Sequence, residues 1–377
     1  MFVPFDPTVR VHLGVVTLGT PPRLGGCLEA LVAHESRHDF VVSVLINAAT
    51  ALEEPLAFDA PPGVRVEASA SNLGWAGGIQ RLRPLGTGDY FVWVQDDMVP
   101  APGWLDALVG AADTHPRVGA FGALRVDESD NVLLHNAGST SPPDQVALWN
   151  QTDETAEIRP REVSSYEWIT AKGMLSRLEA FDEVGGPDPS LWPLHHVDKD
   201  FSVHLRCHGW EVALVPGARL IHQQSQSAPS LFRGFLKTWR EEQFDARWSG
   251  PVTELAGRPA ADVDHECARW KDLRVDAVEA AAGREASRLA VPFARFAAGR
   301  AGEAAEREQV LRAAIARRDE ALVLAAKVRK RLKRAKARLA ELEAQQANGT
   351  PSTPPGTRLS ARLRARLRAR FGPGRRR

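Results

Sequence analysis

The chain has 377 residues, of which 44% are hydrophobic and 25% are charged, and its formal net charge is +1 at pH 7. This composition is typical of a chain that is globular over most of its length, with room for one large domain and an appendage. Its three cysteines are odd in number and far apart, which excludes a disulfide framework and a CxxC metal motif and favours a reducing compartment. No apolar run is long enough to cross a bilayer, so we expect a cytoplasmic protein.

Strand-like and helix-like segments alternate through the first third of the chain. Short apolar runs predict strands, and apolar residues spaced three or four apart predict helices between them. The predicted strands are residues 11–16, 40–46, 64–68, 90–94 and 118–124, and the predicted helices lie at 24–33 and 104–109. This alternation predicts an α/β fold with a mostly parallel sheet flanked by helices.

Two adjacent carboxylates follow the predicted strand at 90–94. Gln95, Asp96 and Asp97 would lie at the carboxyl end of that strand, where ligands bind in open α/β sheets. Carboxylates at this edge suit a hard divalent cation that also bridges phosphates. A polar turn after the strand is the alternative interpretation.

A glycine-rich segment, Asn-Leu-Gly-Trp-Ala-Gly-Gly at 72–78, lies upstream of these acids. Glycines allow a backbone to approach a phosphate or sugar closely, and a helix that begins there presents free N–H groups to an anion. The segment is neither a Walker loop nor a GxGxxG fingerprint, and an ordinary loop-to-helix junction also explains it.

The next part of the chain returns to the same pattern. Strands are predicted at 132–135, 146–149, 210–215 and 219–222, and a helix is predicted at 199–208 with a stop at Gly209. His222 would therefore lie at a strand end, as Asp97 does.

Taken together, residues 11–248 resemble the inverting nucleotide-sugar glycosyltransferases of family two, especially rhamnosyltransferase-like and galactofuranosyltransferase-like members. Segment 72–78 is similar to the family's Asn-Leu-Gly-Phe-Ala-Gly-Gly loop, and 95–100 stands where the family has Asp-x-Asp. Four further segments follow in the family's order: 168–174, 181–186, 197–201 with Arg206 and Gly209, and Pro216 with His222. The resemblance implies a GT-A fold, which is Rossmann-like and mostly parallel.

The resemblance also implies a role for each motif. Asp97 and His222 would ligate Mg²⁺ or Mn²⁺, and Asp198 would be the base that takes a proton from the acceptor hydroxyl. The residues implied to bind the donor are Thr17, Gly19, Asn47, Asn72, Gly74, Gly77, Gly78 and Asp96. Candidates for acceptor contact or for support of the base are Asp200, Trp168, Trp192, His195 and His196. Acids that open a helix are the alternative for both Asp198 and Asp200, and plain packing is the alternative for Trp192, His195 and His196.

Three positions depart from the family pattern. Ile46 stands where the family has a carboxylate that hydrogen-bonds the nucleobase of the donor. Gln95 stands where Asp or Asn is common, and Val197 where an acid is usual. The choice of nucleotide therefore stays open. These departures also support an alternative, a non-catalytic protein that binds a nucleotide or a sugar.

The character of the chain changes after residue 248, the predicted end of the glycosyltransferase domain. Residues 249–302 read as a connector with accessory helices, and 303–346 as one long charged helix with a weak heptad seam. That seam predicts a coiled coil and self-association, with a solvated single helix as the alternative. Residues 347–377 combine a Pro-containing linker with an Arg-rich amphipathic tail suited to an anionic membrane.

These features predict a metal-dependent inverting glycosyltransferase. The donor would be a nucleotide-sugar, the acceptor a hydroxyl of a glycan or lipid-linked molecule, and the pathway cell-envelope or exopolysaccharide synthesis. The tail predicts peripheral contact with the inner face of the cell membrane. A nucleic-acid-binding protein led by the arginine tail is the third reading, and no groove-reading motif in the catalytic region supports it.

Overall fold

A computed structural model of the protein describes residues 1–18, 21–47, 59–133, 136–138, 160–222, 230–255 and 275–347. The chain divides into two compact units, Met1–Gly299 and Arg300–Arg377. The predicted strand at 146–149 and the tail at 358–377 lie outside the described residues.

The first unit is built on one mixed sheet. Within the described residues its strands are β1 Val11–Thr17, β2 Phe40–Ile46, β3 Arg65–Ala68, β4 Tyr90–Gln95, β5 Met98–Pro100, β6 Val118–Val126, β7 Ser164–Ser165, β8 Met174–Arg177 and β9 Glu211–His222. Their order across the sheet is β3-β2-β1-β4-β8-β6-β9-β5, with β7 paired to β9. The β1–β2, β1–β4, β2–β3 and β6–β9 pairs are parallel, whereas β8, β5 and β7 pair antiparallel.

Helices cover both faces of the sheet. They are α1 Pro21–Val32, α2 Gly74–Leu82, α3 Trp104–Thr114, α4 Leu178–Val184, α5 Val197–Cys207, α6 Ser230–Leu255 and α7 Val275–Ala347. Strand β4 shows why its sequence is almost continuously apolar: Val92 and Val94 pack on the side of α1 and α3, whereas Phe91 and Trp93 pack on the side of α2, α4 and α5. A strand buried on both faces has no solvent-exposed position for a polar residue.

Most predicted elements of the first unit are confirmed, and three differ from the expectation. The two strands predicted at 210–215 and 219–222 form one strand, β9, whose pairing to β6 shifts register after Val215. Val132 forms only an isolated bridge to Val126. Helix α6 continues to Leu255, into the stretch expected to be a connector. Pro251, which was expected to break the chain there, lies within the helix.

Helix α7 begins at Val275, earlier than predicted, and it contains Pro292. Its first turns belong to the first unit, where Leu289 packs against Phe235 and Leu236 of α6. In the second unit, Val310 is 70% exposed. Val328 and Leu332, which lie at the apolar positions of the heptad repeat predicted in 303–346, are also exposed. Self-association through this helix stays a prediction. None of the described helices is both long enough and apolar enough to span a membrane.

Candidate donor-binding cleft

A cleft of about 280 Å³ lies where the carboxyl ends of β1, β2 and β4 meet. Thr17 ends β1, Asn47 follows β2, and Gln95 ends β4. Because parallel neighbours end at the same edge, the chain collects polar side chains there from three separate segments. Eight residues that line the cleft are Thr17, Asn47, Asn72, Gly74, Asp96, Asp97, Lys172 and His222.

Asn47 fastens the glycine-rich segment to the end of β2. Its Oδ1 accepts from the backbone N–H of Leu73 at 2.8 Å, and its Nδ2 donates to the carbonyl of Gly74 at 3.1 Å. Its own N–H donates to the carbonyl of Thr17 at 2.8 Å. The side chain is buried, so these bonds satisfy its amide and fix the loop at the cleft edge.

Gly74 must be glycine for two reasons. Its φ is +71°, and a Cβ built on it would lie 2.9 Å from Cδ1 of Trp192. Its N–H donates to Oδ1 of Asn72 at 2.8 Å, and the indole N–H of Trp192 donates to the carbonyl of Asn72 at 2.7 Å. Trp192 thus supports the loop and is not among the described residues that line the cleft.

Gly77 and Gly78 differ from the expectation that they contact the donor. They lie inside α2 and outside the described lining of the cleft. A Cβ on Gly78 would lie 2.7 Å from Val16 Cγ1, and one on Gly77 would lie 2.9 Å from Val278 Cγ1. Their small size is required for packing α2 against β1 and α7.

The two predicted metal ligands come together at the edge of the cleft. Strand β5 pairs antiparallel with β9 so that Met98 is opposite His222, which brings Asp97 beside that histidine. The Nε2 of His222 lies 3.3 Å from Oδ2 of Asp97, and the residues are 9% and 5% exposed. The neighbouring Asp96 accepts from the hydroxyl of Thr17 at 2.6 Å.

This pair suits a divalent cation. A carboxylate oxygen and an imidazole nitrogen are both accepted by Mn²⁺, and the carboxylate also suits Mg²⁺. The described ranges contain no group of three or more His, Cys, Asp or Glu arranged to hold a metal.

Lys172 and Arg233 also line the cleft, and neither was singled out from the sequence. Burial and the nearby Arg125 lower the pKa of Lys172 to about 8, although Asp198 and Asp97 act in the opposite direction. The available signal for Lys172 was a single charge inside the apolar run 168–174. Arg233 gave no signal, because it looks like any charged residue on a helix.

Asp198 lies in the first turn of α5, next to Lys172. Its Oδ2 accepts from the N–H of Ala171 at 3.4 Å, and its Oδ1 accepts from the N–H of Lys199 at 3.0 Å. It is not among the described residues that line the cleft. Its contact with Ala171 places it beside Lys172, which does line the cleft.

Asp200 is 1% exposed and bound to α6. Its Oδ1 accepts from Arg247 at 2.8 Å and from the indole N–H of Trp248 at 2.8 Å. Burial raises its pKa, but the charges of Arg247 and His204 and the hydrogen bonds from Trp248 and Arg247 together outweigh burial, so the pKa is lower than usual. Arg247 also contacts the buried Asp188, so Asp200 anchors α5 to α6.

The other acceptor-side candidates lie around α5. Trp168 is buried beneath the ammonium of Lys199, which is 5.0 Å from the centre of its ring. His195 and His196 have φ of +75° and +59°, and the carbonyl of His196 accepts from the N–H of Asp200 at 2.8 Å. Burial lowers the pKa of His195, and Asp198 opposes that shift. Gly19 lies outside the described residues.

Comparison with known proteins gives a family match that covers most of the chain. The model described as "Glycosyltransferase like family 2" matches residues 7–271. N-acetylglucosaminyl-diphospho-decaprenol L-rhamnosyltransferase from two strains of Mycobacterium tuberculosis is 29% identical over 238 residues, which is 56% of this chain and 75% of that protein.

Solved structures of low sequence identity also match. The structure of GalNAc-T7 with UDP, GalNAc and Mn²⁺ is 13% identical over 67% of this chain and 59% of that chain, with a TM-score of 0.42. The mannosyltransferase PcManGT from Pyrobaculum calidifontis, in complex with GDP-Man and Mn²⁺, is 16% identical over 80% of this chain and 82% of that chain, with a TM-score of 0.43.

Proposed function

The chain belongs to glycosyltransferase family 2 and is a glycosyltransferase with the GT-A fold, as its sequence predicts, and we propose on this premise that it is a metal-dependent, inverting enzyme. Its donor would be a nucleotide-sugar and its acceptor a hydroxyl of a glycan or lipid-linked molecule. The pathway would be cell-envelope or exopolysaccharide assembly.

The observation that carries this proposal is the meeting of Asp97 and His222 in the cleft at the carboxyl ends of the parallel strands. Their Oδ2 and Nε2 atoms are 3.3 Å apart and buried, beside the loop that Asn47 and Asn72 hold. In this proposal the two residues hold Mg²⁺ or Mn²⁺. Such a cation supplies positive charge where the leaving diphosphate gains negative charge.

The chain's own side chains then divide the reaction between them. Thr17, Asn47 and Asn72 position the nucleotide side of the donor. Asp198 accepts the proton of the acceptor hydroxyl while that oxygen bonds to the anomeric carbon. The bond from that carbon to the diphosphate oxygen breaks, and its electron pair leaves with the nucleoside diphosphate. Attack from the opposite face inverts the anomeric configuration.

The acceptor class draws on the relative named for a lipid-linked acceptor, N-acetylglucosaminyl-diphospho-decaprenol. Because that relative is an L-rhamnosyltransferase by name, L-rhamnose is the first donor sugar to test. An acceptor in the membrane agrees with the proposed location, the cytoplasmic face of the cell membrane. Self-association through 303–346 and membrane contact through 347–377 belong to the same proposal.

The test is donor-dependent transfer by the full chain. Purified protein is incubated with the acceptor N-acetylglucosaminyl-diphospho-polyprenol and one donor per reaction. The donors are dTDP-L-rhamnose, UDP-galactofuranose, UDP-N-acetylglucosamine and GDP-mannose. Each reaction is run with Mn²⁺, with Mg²⁺ and with EDTA. We expect one donor to release nucleoside diphosphate only with a divalent cation, and NMR of the product to show the inverted anomer.

Replacing the proposed base separates catalysis from binding. Asp198→Asn should lower kcat by about 10²-fold or more, because general-base catalysis contributes about 10²–10⁴-fold. The matched control is Asp59→Asn, since Asp59 is exposed. Turnover that is unchanged in Asp198→Asn overturns the assignment of the base. Nucleotide-sugar binding without turnover under any condition would identify a non-catalytic binding protein.

A further inference from the structure

Two cationic side chains reach the donor-binding cleft from different parts of the fold. Lys172 lies in the loop that precedes β8, and Arg233 lies in the first turn of α6. Among the described lining residues, they share the cleft with the carboxylates of Asp96 and Asp97.

The backbone around Lys172 is fixed on both sides. The N–H of Gly173 donates to the carbonyl of Trp93 in β4 at 3.0 Å, and Gly173 has a φ of +71°. On the other side, the N–H of Ala171 donates to Asp198 at 3.4 Å. The loop therefore holds the lysine between the end of the central strand and the start of α5.

Neither cation has a hydrogen-bond or ion-pair partner for its charge among the residues that the structure describes. The ammonium of Lys172 forms no ion pair within the described ranges, although Asp198 and Asp97 oppose the lowering of its pKa, and the Nε of Arg233 is buried without an acceptor. Holding a cation in a partly buried place without a partner is costly for the folded protein. A site that binds an anion explains this cost.

The charges of the cleft point to the anion. A divalent cation held by Asp97 and His222 would be balanced by the two carboxylates of Asp96 and Asp97. That balance leaves no net charge to attract a nucleotide-sugar, whose diphosphate carries about two negative charges, one on each phosphate. Lys172 and Arg233 supply the two missing positive charges.

We propose that Lys172 and Arg233 bind the donor's diphosphate directly, so that the cleft retains affinity for nucleoside diphosphates without a metal. This inference rests on the proposed function. The arginine guanidinium and the lysine ammonium both form charge-assisted hydrogen bonds to phosphate oxygens, which grow stronger as the leaving group gains charge. The divalent cation then adds to binding that the protein's fixed charges provide.

The experiment is calorimetric titration of the full chain with UDP, dTDP and GDP, each in EDTA and each in Mn²⁺. Uridine, thymidine and guanosine serve as phosphate-free probes. Wild type should bind at least one diphosphate in EDTA. Lys172→Gln and Arg233→Gln should each weaken the binding of that diphosphate at least tenfold in EDTA. The affinity for the nucleosides should stay within twofold of wild type.

Two kinds of control variant separate charge at the cleft from charge in general. Lys172→Arg keeps the charge, so its affinity for the diphosphate should stay within threefold of that of wild type. Lys327→Gln and Arg284→Gln remove exposed cations elsewhere and should change nothing.

Thermal unfolding of the ligand-free variants provides a readout that a structural lysine would not give. Removal of a partly buried cation without a partner should raise Tm, so Lys172→Gln should stabilise the protein while it weakens diphosphate binding. A lower Tm together with unchanged diphosphate affinity would assign Lys172 to structure and overturn the inference.

The possible failures are distinguishable. Wild type that transfers sugar while both Gln variants bind diphosphate within twofold of it overturns only this inference. Wild type that binds no nucleoside diphosphate and transfers no sugar overturns the proposed function and this inference with it.

Discussion

The two walls of the cleft are held in different ways. The strand wall, which consists of Thr17, Asn47, Asn72, Gly74 and Asp96, is connected by short hydrogen bonds between neighbouring strand ends and loops. The helical wall, which consists of Pro193, Leu194 and Arg233, depends on α6 and on the first turns of α7. Its supports are one buried and one partly buried arginine, whose partners are far away in the sequence.

Arg240 and Arg247 are those supports. Arg240 donates to the carbonyl of Trp192 and lies 3.7 Å from Glu285 of α7, and Arg247 bridges Asp188 and Asp200. Glu285 lies beyond residue 271, where the family match ends. The strand wall is thus built from family motifs, whereas part of the helical wall's support comes from outside them.

Among the variants of the helical wall, removal of Arg247 should have the largest effect on stability. Arg247→Met would leave Asp188 and Asp200 buried without their shared cation. Loss of one partner from a buried ion pair costs about 3–5 kcal/mol. Urea unfolding followed by tryptophan fluorescence should show this loss in the free energy of unfolding.

Two further variants test the reason for that loss. Arg288→Met removes an exposed arginine, which pairs with Glu285 at 3.2 Å, and should cost less than about 1 kcal/mol. Adding Asp188→Asn and Asp200→Asn to Arg247→Met should recover part of the stability, since fewer charges remain unpaired. A triple variant less stable than Arg247→Met would contradict this account.

At the strand edge, the largest expected effect is on catalysis. Asp97→Asn keeps the size of the side chain but removes the charge beside His222. We expect kcat to fall about 10²–10³-fold, which corresponds to about 3–4 kcal/mol of transition-state stabilisation. The stabilisation of the protein by Mn²⁺ in thermal unfolding should disappear as well. Full Mn²⁺ stabilisation in Asp97→Asn would place the metal elsewhere.

The difference between the walls also explains what the sequence could predict. Strand β4 and its terminal acids are readable because a strand buried on both faces is continuously apolar and ends where polarity begins. The meeting of Asp97 with His222 depends on the antiparallel pairing of β5 with β9, and no local pattern specifies that register. It was expected only from the resemblance to a family.

The helical wall could not be predicted for a related reason. Arg240 and Arg247 look like ordinary charged residues of an amphipathic helix. Their ion pairs depend on the packing of α6 against α5 and α7. Asp200 was expected to contact the acceptor or support the base, and the structure shows that Arg247 and Trp248 both donate to its Oδ1. Gly77 was expected to bind the donor, and nothing in the sequence indicates that it lies against Val278 of α7.

That contact provides a smaller test of how α7 supports the fold. A Cβ on Gly77 would lie 2.9 Å from Val278 Cγ1 and 3.0 Å from Leu73 Cβ. Gly77→Ala should therefore destabilise the protein by about 1–3 kcal/mol, because overpacking outweighs the helix preference for alanine. Adding Val278→Ala should make the double variant more stable than the sum of the two single changes predicts. Strict additivity would show that Val278 is not the obstacle.

The smallest effect is expected at Thr17, whose hydroxyl holds the carboxylate of Asp96 in the strand wall. Thr17→Val preserves shape but removes the hydroxyl that donates to Asp96 at 2.6 Å. One hydrogen bond contributes about 1 kcal/mol, so the donor KM should rise roughly fivefold while kcat stays close to that of wild type. Thr87→Val removes an exposed hydroxyl bonded to the carbonyl of Pro7 and should leave both constants unchanged. A fall in kcat comparable to that of Asp97→Asn would mean that Asp96, oriented by Thr17, shares the metal-binding role instead of only positioning the donor.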